Sequence, residues 1–282
     1  MTLGRAAFLF AASILAGAVN SVAGGGTLLS FPAAIAVGLP PIVANATNAV
    51  AMVPGSLAAA WTYRRSLAGL GRLTTTLAVP GIAGALVGAL ILRHTPQRLF
   101  DGIVPWLVLG ATLIILTQGL VTRARKHAAS GTEAALPSAP PTKTPLPAPL
   151  ALPALPTSLL VTIGLQFVVS VYGGYFGAAM GIVMLAFLGH ITLPGESAPL
   201  GMHQMNAVKN VLAVSINAAA SIDFIIHGLV RPAPAVLMAA GAITGGIAGG
   251  RLGRRARPKQ VRRLIVAIGF AMTGLLAWRR YG

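Results

Sequence analysis

Apolar residues run in long blocks along this chain, and each block is closed by glycine, proline or arginine rather than by a polar face. Blocks of roughly 17–25 apolar residues are the length a helix needs to cross the hydrocarbon core of a bilayer. On that pattern we expect helices at about 6–22, 43–63, 75–92 and 103–120, then again at 158–171, 205–226, 235–252 and 261–278. Two shorter apolar runs, at about 28–37 and 180–188, are too short to cross unaided. The expectation is an all-α polytopic membrane protein with eight full transmembrane helices and two short or broken ones.

The pattern is interrupted once. Between about 122 and 157 the chain carries Arg123, Arg125 and Lys126, followed by Pro137, Pro140, Pro141, Pro145, Pro147, Pro149, Pro153 and Pro156. Proline at that density removes amide donors and blocks helix, which predicts an extended linker. The chain then divides into a first repeat at 1–121, the linker at 122–157 and a second repeat at 158–282. The two halves resemble each other. Asn48-Ala49-Val50 with Val53 matches Asn206-Ala207-Val208 with Val211, and Gly84 and Gly88 before Pro96 match Gly245 and Gly249 before Pro258. Gly24-Gly25-Gly26 falls opposite Gly173-Gly174 and Gly177. Three matches in one order argue for duplication. Five segments per repeat is an odd number, so the second repeat enters from the opposite face and the repeats are inverted.

Composition and charge refine the picture. Of the 282 residues 55% are hydrophobic and 9% charged, which is too little charge to keep a soluble surface dispersed. The net charge of +17 would suit a nucleic-acid binder, but such domains carry their charge on a folded polar module. Here Arg and Lys stand at the ends of apolar blocks, so no nucleic-acid partner is expected. In the inverted arrangement one side collects Arg64, Arg65, Arg72, Arg123, Arg125, Lys126, Lys143, Arg251, Arg254, Arg255, Arg257, Lys259, Arg262 and Arg263. The other side holds only Arg5, Arg93, Arg98, Arg231, Arg279 and Arg280. The richer side is cytoplasmic by the positive-inside bias, which puts the linker inside and both termini outside. Treating each short helix and its neighbour as one broken crossing splits the charge less cleanly. Arg5, the apolar run 6–15 and small Ala16-Gly17-Ala18 also fit a cleaved secretory signal. A retained helix is favoured, because the segment from Gly17 onward takes part in the repeat. The chain has no cysteine, so neither disulfides nor thiolate metal sites are expected.

Candidate chemistry gathers at two glycine-rich breaks, Asn20-Ser21-Val22-Ala23-Gly24-Gly25-Gly26-Thr27 and Tyr172-Gly173-Gly174-Tyr175-Phe176-Gly177-Ala178-Ala179-Met180-Gly181. Irregular backbone at membrane depth is tolerated only where protein or a water-filled cavity satisfies it. A short helix starting at such a break points its free amides inward, and paired breaks mark solute sites. The competing explanation is a packing hinge. Polar residues on the third and eighth segments add to the first explanation: Asn45, Thr47 and Asn48, then Asn206, Asn210 and Asn217 on one helical face with Lys209 beside them. An ammonium inside an apolar run faces a cavity or a partner, or snorkels to the headgroups. One half-site is therefore Asn20, Ser21, Gly24, Gly25, Gly26, Thr47 and Asn48. The other is Gly173, Gly174, Gly177, Asn206, Lys209 and Asn210. Pro54-Gly55 should kink the third helix, and Gly241, Gly245, Gly249 and Gly253 form a stripe suited to close helix contact. Asp223 is either a proton-coupling carboxylate or a solvated one. No Ser/His/Asp arrangement, carboxylate pair, P-loop, metal-ligand spacing or cofactor motif is visible.

These residues resemble the TauE/SafE family of membrane transporters, the sulfite exporters. The resemblance rests on Ala16-Gly17-Ala18-Val19-Asn20-Ser21-Val22-Ala23-Gly24-Gly25-Gly26, on Pro32, Gly38-Leu39-Pro40-Pro41 and Ala44-Asn45-Ala46-Thr47-Asn48, and on Tyr172 to Gly177 with the Lys209-Asn210 helix. It departs from the family's richer glycine run at Ala178-Ala179-Met180. The resemblance implies export of sulfite, sulfonates or related small organic anions across a bacterial cytoplasmic membrane, with the lipid bilayer, a coupling proton or ion and a second copy of the chain as possible partners. An exporter of neutral or amino-acid-like metabolites is the alternative within transport. An intramembrane assembly factor is the alternative outside it.

Overall fold

A computed structural model describes residues 1–133, 156–191, 199–252 and 258–281. Among these, ten α-helices follow one another: α1 Leu3–Val22, α2 Thr27–Ala36, α3 Pro41–Thr62, α4 Gly71–His94, α5 Gln97–Glu133, α6 Pro156–Tyr175, α7 Met180–Leu188, α8 Met202–Ile226, α9 Pro232–Leu252 and α10 Pro258–Tyr281. A single 3₁₀ turn, Arg64–Leu67, joins α3 to α4. Among the described residues, six spans are long and apolar enough to cross a membrane: Leu3–Val22, Pro41–Thr62, Gly71–His94, Gln97–Thr117, Met202–Ile226 and Pro232–Arg251. Shorter apolar stretches occupy Thr27–Ala36, Leu160–Tyr175 and Val266–Trp278.

The bundle exposes large apolar side chains and buries a group of polar ones within its apolar core. Trp61, Val79, Trp106, Val168 and Val236 are exposed, while Asn45, Asn48, Asn206, Lys209 and Asn210 are buried. Water would penalise that distribution and lipid favours it. The chain is a polytopic membrane protein.

One boundary differs from expectation. The fifth helix does not stop near 120 but continues through Arg123, Arg125 and Lys126 to Glu133. Residues 122–133 carry several good helix formers, no proline and a single glycine, and the proline run begins only at Pro137. The proline-dense remainder of the expected linker lies outside the described residues. In α3 the helix runs unbroken through Pro54-Gly55.

Helix packing follows one rule. The helix α1 lies along α9 and α4 along α6; α3 packs on α9 and α8 on α4; α3 meets α8, and α5 meets α10. Moving every label on by five, with the count returning to α1 after α10, reproduces the same set of pairs. Glycines set the closest approaches. Gly84 and Gly88 lie against the backbone of Phe167, Val171 and Tyr175, and Gly245 and Gly249 lie against that of Ile14 and Ala18. The stripe Gly241, Gly245, Gly249 is thus a helix contact, and Gly253 lies outside the described residues. A Cβ on Gly245 would fall onto the Ile14 carbonyl, whereas one on Gly110 in α5 would meet nothing within 4 Å. Gly245→Ala is expected to lower stability by about 1–3 kcal/mol through overpacking. Gly110→Ala should raise it by about 0.5–1 kcal/mol through helix propensity. Thermal unfolding of the two variants in detergent checks the contrast.

Candidate functional site

Both glycine breaks end a helix in the same way. At the end of α1 the amides of Ala23 and Gly24 donate to the Val19 carbonyl, at 2.8 and 3.2 Å, and Gly24 turns to φ +82°. At the end of α6 the amides of Phe176 and Gly177 donate to the Tyr172 carbonyl, at 2.8 and 3.0 Å, and Gly177 turns to φ +73°. A left-handed glycine here is what stops a helix without a Cβ penalty. In the second break Ala179 also takes φ +61°, a conformation that costs a non-glycine residue roughly 1–2 kcal/mol. It stands where the sequence departs from the family's glycine run. The Tyr172 hydroxyl donates to the Ala178 carbonyl at 2.7 Å and holds this turn.

The two breaks touch. A Cβ on Gly24 would lie 2.6 Å from Gly181 Cα, and a Cβ on Gly181 would lie 2.7 Å from Gly24 Cα. Only two glycines let the backbones approach so closely. Phe31 of α2 meets Phe176 of the second break edge-on, with ring centroids 5.1 Å apart.

Each half then caps the broken helix of the other. The last turn of α1 leaves carbonyls without helical partners, and α8 supplies the donors. The Lys209 ammonium donates to the carbonyls of Asn20 at 2.7 Å and Ser21 at 3.3 Å, and to Asn206 Oδ1 at 3.1 Å. Asn210 Nδ2 also donates to the Ser21 carbonyl, at 3.2 Å. Reciprocally, Asn45 Nδ2 of α3 donates to the Tyr175 carbonyl at 2.9 Å, at the end of α6. Lys209 is 1% exposed. It does not snorkel, and among the described residues no carboxylate pairs with it. Three buried polar atoms nearby in sequence have no partner: Ser21 Oγ, Asn210 Oδ1 and, on α3, Asn48 Oδ1. In α2 the helical bonding opens with Leu28 N–H to the Gly25 carbonyl at 3.2 Å, so the amides of Gly25, Gly26 and Thr27 precede that ladder.

The structure therefore brings Asn20, Ser21, Gly24, Asn206, Lys209 and Asn210 together, with Asn20 Nδ2 tied to Ser56 Oγ of α3 at 3.2 Å. Three further expected site residues make the following contacts. Thr47 Oγ1 accepts the Arg231 amide at 3.1 Å and fixes the turn before α9. Gly174 lies on the Ala85 backbone of α4, and Gly173 on Met180 and Ile216, so both give close packing. Asn217 bonds back to the Ala213 carbonyl of its own helix at 2.8 Å. Asp223 is not free in solvent: it pairs with Arg93 at 3.1 Å and with His227 at 3.4 Å, joining α8 to the end of α4. Asn45 and Ser56 were absent from the expected half-sites. Asn45 stood within the Ala44-Asn45-Ala46-Thr47-Asn48 run, and Ser56 carried no signal. Two open apolar grooves, of about 410 and 370 Å³, lie between α4 and α6, against Tyr172 and Tyr175, and among α3, α8 and α9.

Paired broken helices with a buried polar centre, in a bundle that faces lipid, define a polytopic membrane protein. The chain belongs to the sulfite exporter TauE/SafE family, whose family model matches residues 9–276. It is thereby a membrane transporter. It is 26% identical to probable membrane transporter protein ORF9 of a Sinorhizobium species, over 94% of this chain and 90% of the relative. It is 28% identical to probable membrane transporter protein YfcA of Escherichia coli, over 97% of this chain and 90% of the relative. A probable membrane transporter protein of Haemophilus influenzae is 26% identical over 96% of this chain and 94% of its own length. No solved structure matches.

Proposed function

We propose that this protein is a secondary transporter that moves a small anion, of the sulfite, sulfonate or related organic class, across the bacterial cytoplasmic membrane. The site lies at the two breaks, between inverted repeats of five helices each. The observation that carries the reading is the buried Lys209 charge. Its donors are occupied by the protein, but its charge meets no described carboxylate. An unneutralised cation in a dry interior attracts an anion strongly. Ser21 Oγ and the amides of Gly25, Gly26 and Thr27 supply donors near the same break.

The packing rule and the charge bias of the loops support the inverted arrangement, with the proline-rich linker cytoplasmic and both termini outside. Alkaline phosphatase fused after Gly282 should be active, and a fluorescent protein fused there should stay dark. The reverse pattern would invert the topology.

Occupation of all three Lys209 donors also suits the alternative of neutral or amino-acid-like cargo, with Lys209 structural. Proteoliposomes decide between them. We expect saturable sulfite or methanesulfonate flux that neutral amino acids do not compete away. Flux confined to neutral amino acids would replace the anion reading with the alternative.

A further inference from the structure

Lys209 occupies a place built for a cation. The last turn of a helix presents carbonyls without helical partners and the negative end of the dipole. In transporters with broken helices, such ends coordinate sodium ions or protons. Here the ligand set is Asn20 O, Ser21 O and Asn206 Oδ1, at 2.7, 3.3 and 3.1 Å from Lys209 Nζ. Three oxygens meet the three N–H donors of one ammonium. The set spans both halves of the chain, since two oxygens come from α1 and the third, with the cation itself, from α8.

No described side chain competes for this charge. On the elements packed against α8, the charged and titratable groups stand toward helix ends: Arg5 on α1, Tyr63 after α3, Arg64 and Arg65 on the 3₁₀ turn, Arg72, Arg93 and His94 on α4, and His190 after α7. On α6 they are Tyr172, whose hydroxyl donates to Ala178, and Tyr175. On α8 and the turn after it they are His203, Asp223 and His227. Of the four carboxylates, Asp101 accepts from Gln97 and Asp223 pairs with Arg93. The side chains of Glu133 and Glu196 lie outside the described residues.

We propose that Lys209 is a tethered cation: it fills, from within the chain, the position a sodium ion would take, and the proton on Lys209 serves as the coupling ion. The proposal rests on reading the breaks as the transport site. The chemistry is one proton. When Lys209 passes a proton to water it becomes an amine with two N–H bonds and a lone pair. It can then satisfy two of the three oxygens, and its lone pair opposes the third. The clasp between α1 and α8 loosens, since one of the three bonds is lost and the remaining two come from a neutral amine, beside the Asn210 to Ser21 bond. A proton taken back from water restores all three bonds.

The test uses the purified full-length protein in detergent without cargo. The thermal midpoint of the wild type should be equal in sodium, potassium and choline chloride at matched ionic strength. Amide protection factors across 19–24 should fall roughly tenfold or more on going into the alkaline range, as bonds to a charged donor are lost. Lys209→Met should lack that step. Lys209→Ala, with the cradle open, should be stabilised by methylammonium chloride while the wild type is not. Sodium-specific stabilisation of the wild type, or protection that is flat with pH, overturns the proposal. Should neither variant fold, those two wild-type measurements decide alone. Sulfite flux plays no part in them, so loss of the anion reading and loss of the tethered cation are separate results.

Discussion

Lys209→Met is expected to cut anion flux in proteoliposomes by roughly 100-fold while leaving a folded protein. The two effects separate because they have different sources. Losing the ammonium orphans the Asn20 carbonyl and Asn206 Oδ1, whose amide nitrogen is held by the Met202 carbonyl, whereas the Ser21 carbonyl keeps Asn210. A buried acceptor without a donor costs about 1–3 kcal/mol. Burying the ammonium was itself unfavourable, and methionine of similar length removes that penalty. The net stability loss is therefore about 1–3 kcal/mol. For an anion the loss is larger, since a desolvated charge pair broken from one side costs about 2–5 kcal/mol. Tracer flux at matched protein levels, alongside thermal unfolding, checks the split. Flux that survives while stability falls would make Lys209 structural and return the alternative of neutral cargo.

How much of this was legible in the sequence follows from what each signal depends on. Helices and breaks depend on local composition, so the apolar blocks and the runs around Gly24 and Gly177 located them. Asn206, Lys209 and Asn210 could be grouped because a helical period puts them on adjoining faces. Their partners could not be read, since these are backbone carbonyls of Asn20 and Ser21, and every residue has a carbonyl. The same reason hid Asn45, which reaches the Tyr175 carbonyl 130 positions away. Gly173 and Gly174 read as site residues because a glycine pair looks the same whether it frees backbone for a solute or admits a neighbouring helix. In the structure the Ala85 backbone and the Met180 side chain lie against them. The partner of Thr47 was hidden for a related reason: its hydroxyl oxygen accepts from the Arg231 amide, in a loop that no periodicity connects to α3. The end of α5 was set too early because charge was read as linker, whereas proline is what stops a helix.

Gly24→Ala is expected to combine two separate penalties at the breaks, backbone strain and close contact, and three glycines separate them. At Gly38, φ is +103° and a Cβ would meet nothing within 4 Å. Gly38→Ala therefore isolates backbone strain, about 1–2 kcal/mol. At Gly181 no positive φ is involved, but a Cβ would lie 2.7 Å from Gly24 Cα. Gly181→Ala tests close packing without backbone strain, about 1–3 kcal/mol by overpacking, its Cβ also lying 3.2 Å from Lys209 Cδ. Gly24 combines both, with φ +82° and a Cβ 2.6 Å from Gly181 Cα and 2.9 Å from the Ile182 nitrogen. Its loss should approach the sum, about 2–5 kcal/mol, and the double variant with Gly181→Ala should be non-additive because the two share one contact. Unfolding midpoints for the series measure this directly. If Gly24→Ala costs no more than Gly38→Ala, the breaks do not press on each other, and the argument that they form one site loses its geometric basis. If it costs the sum, the meeting of α1 and α7 is a rigid point about which the halves can turn. Flux should then fall in Gly181→Ala, which keeps every polar group of the cluster, but not in Gly38→Ala.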